Sequence, residues 1–335
     1  MTISGRWREL LQERLEEATR RLAGVPGVHG LIVGGSVGRG GPWPMSDIDL
    51  LPVYDGDPET TAGHVGREQA ELVDWWAASG RAQTLDVGWL AFTAEEAREA
   101  VSMGASMGAD WAVERLTRDP RWFHGMDKAF QGRSADPDDQ LTSRFVGWLT
   151  EMRFHPAVVE ARIGWWRQSA ADARDRAHRE RAELRLEAAT YHLRDAARAV
   201  RHVVLEQWGE RMGSMGREWT RFERMAAARG ESELAERIAL LAGASVTGIE
   251  ERERLAPSWL RERIDLCWAA RQALDEPVTP QENARDQIAA FGVHVARHRP
   301  DLAGAWTGSP DPRLDEHLRL LDDTPATGSG PPSRT

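Results

Sequence analysis

At 335 residues, 41% of them hydrophobic, the chain can bury a sizeable core and divide into two domains. A formal charge of −10, with no basic segment, argues against nucleic acid as a partner, because that binding rests on phosphate neutralisation. One cysteine, Cys267, excludes an internal disulfide and a cysteine-rich zinc site.

Residues 6–23 are expected to form a helix with Trp7, Leu10, Leu11, Leu15, Ala18 and Leu22 on one stripe. This start is amphipathic and rich in Arg and Glu, unlike a signal peptide. No stretch approaches the roughly 18 apolar residues of a membrane span, so a cytoplasmic protein with no membrane partner is expected. "VHGLIV" and "DIDLLPVY" are expected strands on either side of a glycine loop. "TTAGHVGREQAELVDWWAASG" follows as a helix ending at Gly80, and "AQTLDVGWLAF" as the next strand. Thr93 with Glu96 three residues later makes a capping box for another helix. "WAVERLTRDPRWF" is assigned one more short strand before Pro120.

"QGRSADPDDQ" (131–140) has the composition of an inter-domain linker. From 141 the periodicity is helical, and clearest from Arg181 to Trp208, where Leu186, Ala189, Leu193, Ala196, Val200 and Val204 form an apolar stripe. Glu187, Tyr191, Asp195, Arg198 and His202 lie on the other side. Residues 321–335 are expected to be a disordered tail with too little apolar surface to fold. The fold class is therefore α+β: an N-terminal domain over 1–130 with a small mixed sheet, then an all-α helical bundle over 141–320. Fifteen tryptophans, including pairs at 75–76 and 165–166, are expected mainly as core anchors. Lys128 is the only lysine, so a phosphate-binding cation in this chain is expected to be an arginine.

The chemistry concentrates in "LIVGGSVGRGGPWPMSDIDL" (31–50). On a strand, Asp47 and Asp49 share one face while Ile48 and Leu50 take the other. Two adjacent carboxylates repel unless a cation sits between them, and magnesium beside substrate phosphates would serve. The pattern alone also fits two acids on a solvated strand edge. Gly34, Gly35, Gly38, Gly40 and Gly41 let backbone approach a ligand and aim N–H groups at phosphate oxygens, and Ser36 adds a hydroxyl. Pro42 and Pro44 forbid the long helix of a dinucleotide-binding loop, and the Lys-Ser/Thr of a Walker A loop is absent. Arg39 is a candidate phosphate ligand inside the loop. Asp86 in "TLDVGWL" is a further acid among strand-forming residues, costly to bury unless paired or metal-bound.

Gly35-Ser36, ten intervening residues and Asp47-Ile48-Asp49-Leu50 resemble the signature of the DNA polymerase β-like nucleotidyltransferase superfamily. Gly34 stands where that signature usually has a hydrophobic residue. The resemblance implies that Asp47 and Asp49 hold magnesium, two ions where both are used, against a triphosphate cradled by Gly35 and Ser36. It implies Asp86 as the third acid, as metal ligand or as general base. The order of domains resembles the antibiotic adenylyltransferases, whose helical domain contacts the acceptor; Glu187, Tyr191 and Asp195 are the candidates here. "GSMGREW" is similar to a family position where a basic residue reaches the nucleotide, which makes Arg217 a candidate. The expected activity is magnesium-dependent transfer of a nucleoside monophosphate, AMP from ATP, to a hydroxyl of a small molecule such as an antibiotic or natural-product intermediate. The alternative is an antitoxin-like module that acts on a protein partner.

Overall fold

The computed structural model describes residues 5–80, 83–88, 90–211, 216–298 and 309–324. The chain is α+β and mostly helical, with one small mixed sheet near the N-terminus. It divides into two compact units, one ending at Ala161 and the other beginning at Arg162.

The first unit runs α1 (Trp7–Ala23), β1 (Val28–Val33), a single helical turn α2 (Gly35–Gly38), β2 (Ile48–Tyr54) and α3 (Pro58–Ala78). It continues through β3 (Leu85–Asp86), β4 (Phe92–Thr93), α4 (Ala94–Ser102), α5 (Ala105–Arg118), α6 (Pro120–Ala129), β5 (Arg133–Ser134) and α7 (Gln140–Arg153). The sheet order is β3-β2-β1-β5, and β4 pairs farther along β2. β1 is antiparallel to both β2 and β5, whereas β3 and β4 run parallel to β2. Every residue of β2 is buried, as expected of a near-continuous apolar strand covered on both faces. Leu11, Leu15 and Leu22 of α1 and Val65, Leu72 and Trp76 of α3 pack with Leu31, Val33, Ile48 and Leu50 on one face. The Trp76 indole also donates to Glu17 of α1 at 2.7 Å, satisfying its one polar atom.

Several expectations are corrected by this arrangement. The segment 111–123 holds no strand: it lies in α5 and α6, broken at Asp119, whose side chain caps α6 just before Pro120. Residues 131–140 are not a linker. Arg133 and Ser134 add an edge strand to β1, and Asp139 caps α7, which belongs to the first unit. Gly and Pro there mark a tight return to the sheet, and a two-residue strand is too short to show a period. The expected strand 82–92 is two short strands, β3 and β4, that pair with opposite ends of β2.

The second unit is helical: α8 (Pro156–Ala182, which runs across the division), α9 (Leu186–Gln207), α10 (Glu218–Ala227), α11 (Ser232–Leu241), α12 (Ile249–Leu255), α13 (Ser258–Gln272), α14 (Pro280–His298) and α15 (Leu314–Asp322). Its core joins Ala170 and Ala177 of α8, Leu193 and Val200 of α9, Phe222 of α10, Ile238 of α11 and Leu318 of α15. The helix expected from 181 to 208 is interrupted: α8 ends at Ala182, Leu184 takes a positive φ of 60°, and α9 starts at Leu186, which is exposed. Residues 321–324 also depart from the expected tail, since Leu321 and Thr324 are buried; positions 325–335 lie outside the described residues.

The capping box of α4 is present, and its Glu96 does more than cap. While Glu96 binds the Thr93 N–H at 2.8 Å, it also accepts from Arg121 at 2.6 Å and from the Trp122 indole at 3.1 Å. One carboxylate thus fixes the starts of both α4 and α6. Burial alone would raise its pKa, but Arg121, the Thr93 N–H and Trp122 overcome this and hold it below the usual glutamate value. Because the folded value is the lower one, the stabilisation is present above the unfolded value and lost as pH falls through the folded one. Glu96→Ala is expected to cost about 3 kcal/mol, the low end for a broken buried pair because Arg121 is partly exposed. Thr93→Ala, which removes only the cap, should cost about 1 kcal/mol. Denaturant titrations across acid pH should also show a shallower acid limb in Glu96→Gln; equal limbs would contradict this role.

Candidate active site

The parallel register of β2 and β3 makes Ile48 the partner of Leu85 and Asp49 the partner of Asp86. In-register neighbours point to the same face, so the pairing sets the two carboxylates side by side. Asp47, two residues before Asp49, joins them. Carboxylate oxygens of Asp47, Asp49 and Asp86 all lie within 4.8 Å of one another. Asp49 is 3% exposed, and the side chain of Asp86 is half-exposed. Ile48 and Leu85 turn the other way into the core with α1 and α3. The same alternation that buries the apolar side chains collects the acids.

The chain leaves β1 through α2, the turn that carries Gly35 and Ser36. Gly35 has a φ of +59°, and a Cβ built there would fall on Asp49 Oδ2. The glycine therefore brings backbone against the carboxylate, closer than any side chain permits. The Gly34 N–H donates to the Asp49 carbonyl at 2.9 Å, which ties the turn to β2. Ser36 is buried, and its hydroxyl shares a 2.8 Å hydrogen bond with Ser46. Ser46 also accepts from the Trp43 N–H at 2.9 Å, while its own carbonyl accepts from Gln83 at 2.8 Å. This network folds residues 39–46 back over the turn, with Trp43 buried beneath. Arg39 sits half-buried at the end of the turn.

A cation already stands in this cluster. Lys128, in the last turn of α6, forms an ion pair with Asp49 Oδ1 and lies 4.0 Å from Asp86 Oδ2. Burial pushes the Asp49 carboxyl up; the Lys128 charge pulls it back, and the neighbouring Asp47 charge adds to the rise. Burial alone would lower the Lys128 ammonium, but Asp49, with Asp47 and Asp86, more than offsets this and holds it above the ordinary lysine value. Three carboxylates and one ammonium leave two negative charges uncompensated. That deficit, the buried Asp49 and the close glycine turn suit a divalent cation with oxygen ligands.

Comparison with family models, with curated proteins and with solved structures finds no match for this chain.

Asp47, Asp49, Asp86, Gly35, Ser36 and Arg39 all belong to the first unit. The other candidates belong to the second. On α9, Glu187 is exposed, whereas Tyr191 and Asp195 are half-buried. His202, farther along, stacks on Trp166 with centroids 4.0 Å apart. Arg217 directly precedes α10 and is paired with the buried Glu276 at 3.0 Å. Its neighbour Gly216 has its carbonyl held by Arg271 at 3.0 Å and Gln287 at 2.7 Å. Arg217 is thus part of a buried polar framework within the helices. Among the described residues, no helix is long and apolar enough to cross a membrane.

Lys128 and Ser46 are the site residues that sequence reasoning did not select. A signal for Lys128 existed: in a chain with 43 basic residues, a lone lysine marks a position that arginine does not fill. Ser46 directly precedes the Asp47-Ile48-Asp49 pattern, but nothing local shows that it bonds Ser36.

Gly35→Ala tests the close approach, with Gly40→Ala as control. Both positions have positive φ, but around Gly40 a Cβ would meet nothing within 4 Å. Gly40→Ala should cost roughly 1–2 kcal/mol, the left-handed backbone term alone. Gly35→Ala should cost clearly more, since its Cβ must also displace Asp49. Equal losses in chemical denaturation would show that the turn does not press on the carboxylate.

Proposed function

We propose that the first unit is a nucleotidyltransferase, which moves a nucleoside monophosphate from a triphosphate, ATP by preference, to a hydroxyl of a small molecule. The observation that carries this reading is the convergence of Asp47, Asp49 and Asp86 within 4.8 Å beside a glycine turn that abuts Asp49. The Gly35-Ser36…Asp47-Ile48-Asp49 spacing supports it independently.

In this reading Asp47 and Asp49 hold magnesium, which supplies charge to the α-phosphate and the departing pyrophosphate when bound. The glycines of the turn let backbone N–H groups approach phosphate oxygens closely in this reading. Ser36, positioned by Ser46, adds a hydroxyl at the same place. Asp86 is the most exposed of the three acids and takes the proton of the acceptor hydroxyl. The acceptor oxygen forms its bond to the α-phosphorus as the bond to the bridging oxygen breaks, and pyrophosphate leaves with that electron pair. The protein's contribution is mainly positioning and charge.

The test is transfer of label from α-labelled nucleoside triphosphates, with magnesium, to a panel of hydroxylated small molecules. Asp47→Asn is expected to abolish transfer while thermal unfolding stays close to that of the parent chain. Ser36→Ala should weaken nucleotide binding in calorimetry without removing it. Transfer that survives Asp47→Asn, or nucleotide affinity indifferent to magnesium, would overturn the reading.

A further inference from the structure

Asp49 presents its two carboxylate oxygens to different surroundings. Oδ1 is taken by Lys128, whose ammonium also faces Asp86 at 4.0 Å. Oδ2 is the atom that a Cβ on Gly35 would strike, so it lies on the side of the glycine turn. One buried carboxylate thus separates a lysine side, shared with Asp86, from a turn side.

The lysine is built into place. A Cβ on Gly34 would lie 2.7 Å from the Lys128 carbonyl, so the end of α6 rests directly on the start of the glycine turn. Phe123, Met126 and Ala129 of the same helix are buried, and the helix packs against α5, α7 and β2. Its first turn is held by Glu96 through Arg121 and Trp122. Lysine offers a compact point charge on a flexible stem, whereas the planar arginine fork needs more room and bidentate partners. The chain uses arginine at all its other basic positions, so this exception coincides with a crowded three-carboxylate site.

We infer that Lys128 is a resident cation of this site, serving where a second metal ion would otherwise be needed, so that one divalent ion accompanies each bound nucleotide. The inference rests on the nucleotidyl-transfer reading and alters its metal count. The single ion belongs to Asp47 and the turn-side oxygen of Asp49. Lys128 keeps Asp49 and Asp86 together on the other side, as a positioning residue.

The experiment counts Mn²⁺ bound to the full chain by electron paramagnetic resonance, with a non-hydrolysable ATP analogue present. One ion per bound nucleotide is expected for the wild-type chain, and two for Lys128→Gln. Asp47→Asn should weaken Mn²⁺ binding by roughly 10–100-fold, whereas Asp86→Asn should weaken it far less. Two ions on the wild-type chain, equal effects of the two aspartate variants, or an unchanged count in a folded Lys128→Gln would overturn the lysine's role and leave the transfer reading standing. Nucleotide bound with no manganese at the carboxylates would overturn both. The wild-type count and the aspartate pair decide the matter even if Lys128→Gln does not fold.

Discussion

A buried carboxylate beside other carboxylates is the constraint around which the first unit is organised. Asp49 sits in a strand with every residue buried, in register with Asp86 and two residues from Asp47. An uncompensated charge in that position would be costly. The surrounding elements answer that cost together: α6 delivers an ammonium, and β3 is short enough to leave Asp86 half-exposed. The turn after β1 contributes backbone where a side chain would collide. An ordinary core strand needs none of these features. Their coincidence is the strongest reason to regard the site as chemical rather than structural.

The same constraint links distant parts of the unit. Glu96, at the start of α4, anchors the first turn of α6 through Arg121 and Trp122, and Lys128 lies at the other end of that helix. The stability of a capping box therefore bears on where a lysine points. Ser46 plays the corresponding part for the glycine turn, with one hydroxyl joined to Ser36 and to the Trp43 backbone. The second unit has its own buried polar centre, where Asp286 accepts from Arg271 at 2.6 Å and Thr220 at 2.6 Å. Arg217 stands beside that centre in the chain, paired with Glu276.

How much was legible in the sequence follows from how local each signal is. Alternation puts Asp47 and Asp49 on one face because strand geometry has a period of two, while choosing them and Asp86 as site residues took the glycine loop and the resemblance as well. The capping box at Thr93 and Glu96 is equally local and is present as expected. Lys128 escaped because its role needs α6, a helix that was not read in the sequence after Pro120, and a contact 79 residues back along the chain. β5 escaped because two residues of strand have no period, and its Gly and Pro neighbours have linker composition. The break at Leu184 escaped because no Gly or Pro announces it; a leucine in left-handed geometry is unfavourable locally and persists only through its surroundings.

The central claim is that the acids of β2 and β3 and the glycine turn form one nucleotide site. Diffraction from crystals grown with Mn²⁺ and a non-hydrolysable ATP analogue, measured for the anomalous signal of manganese, tests it most directly. The account predicts an anomalous peak bounded by Asp47 and Asp49, with phosphates lying on the turn that carries Gly35 and Ser36. Phosphates bound elsewhere, with no manganese among the three carboxylates, would contradict it.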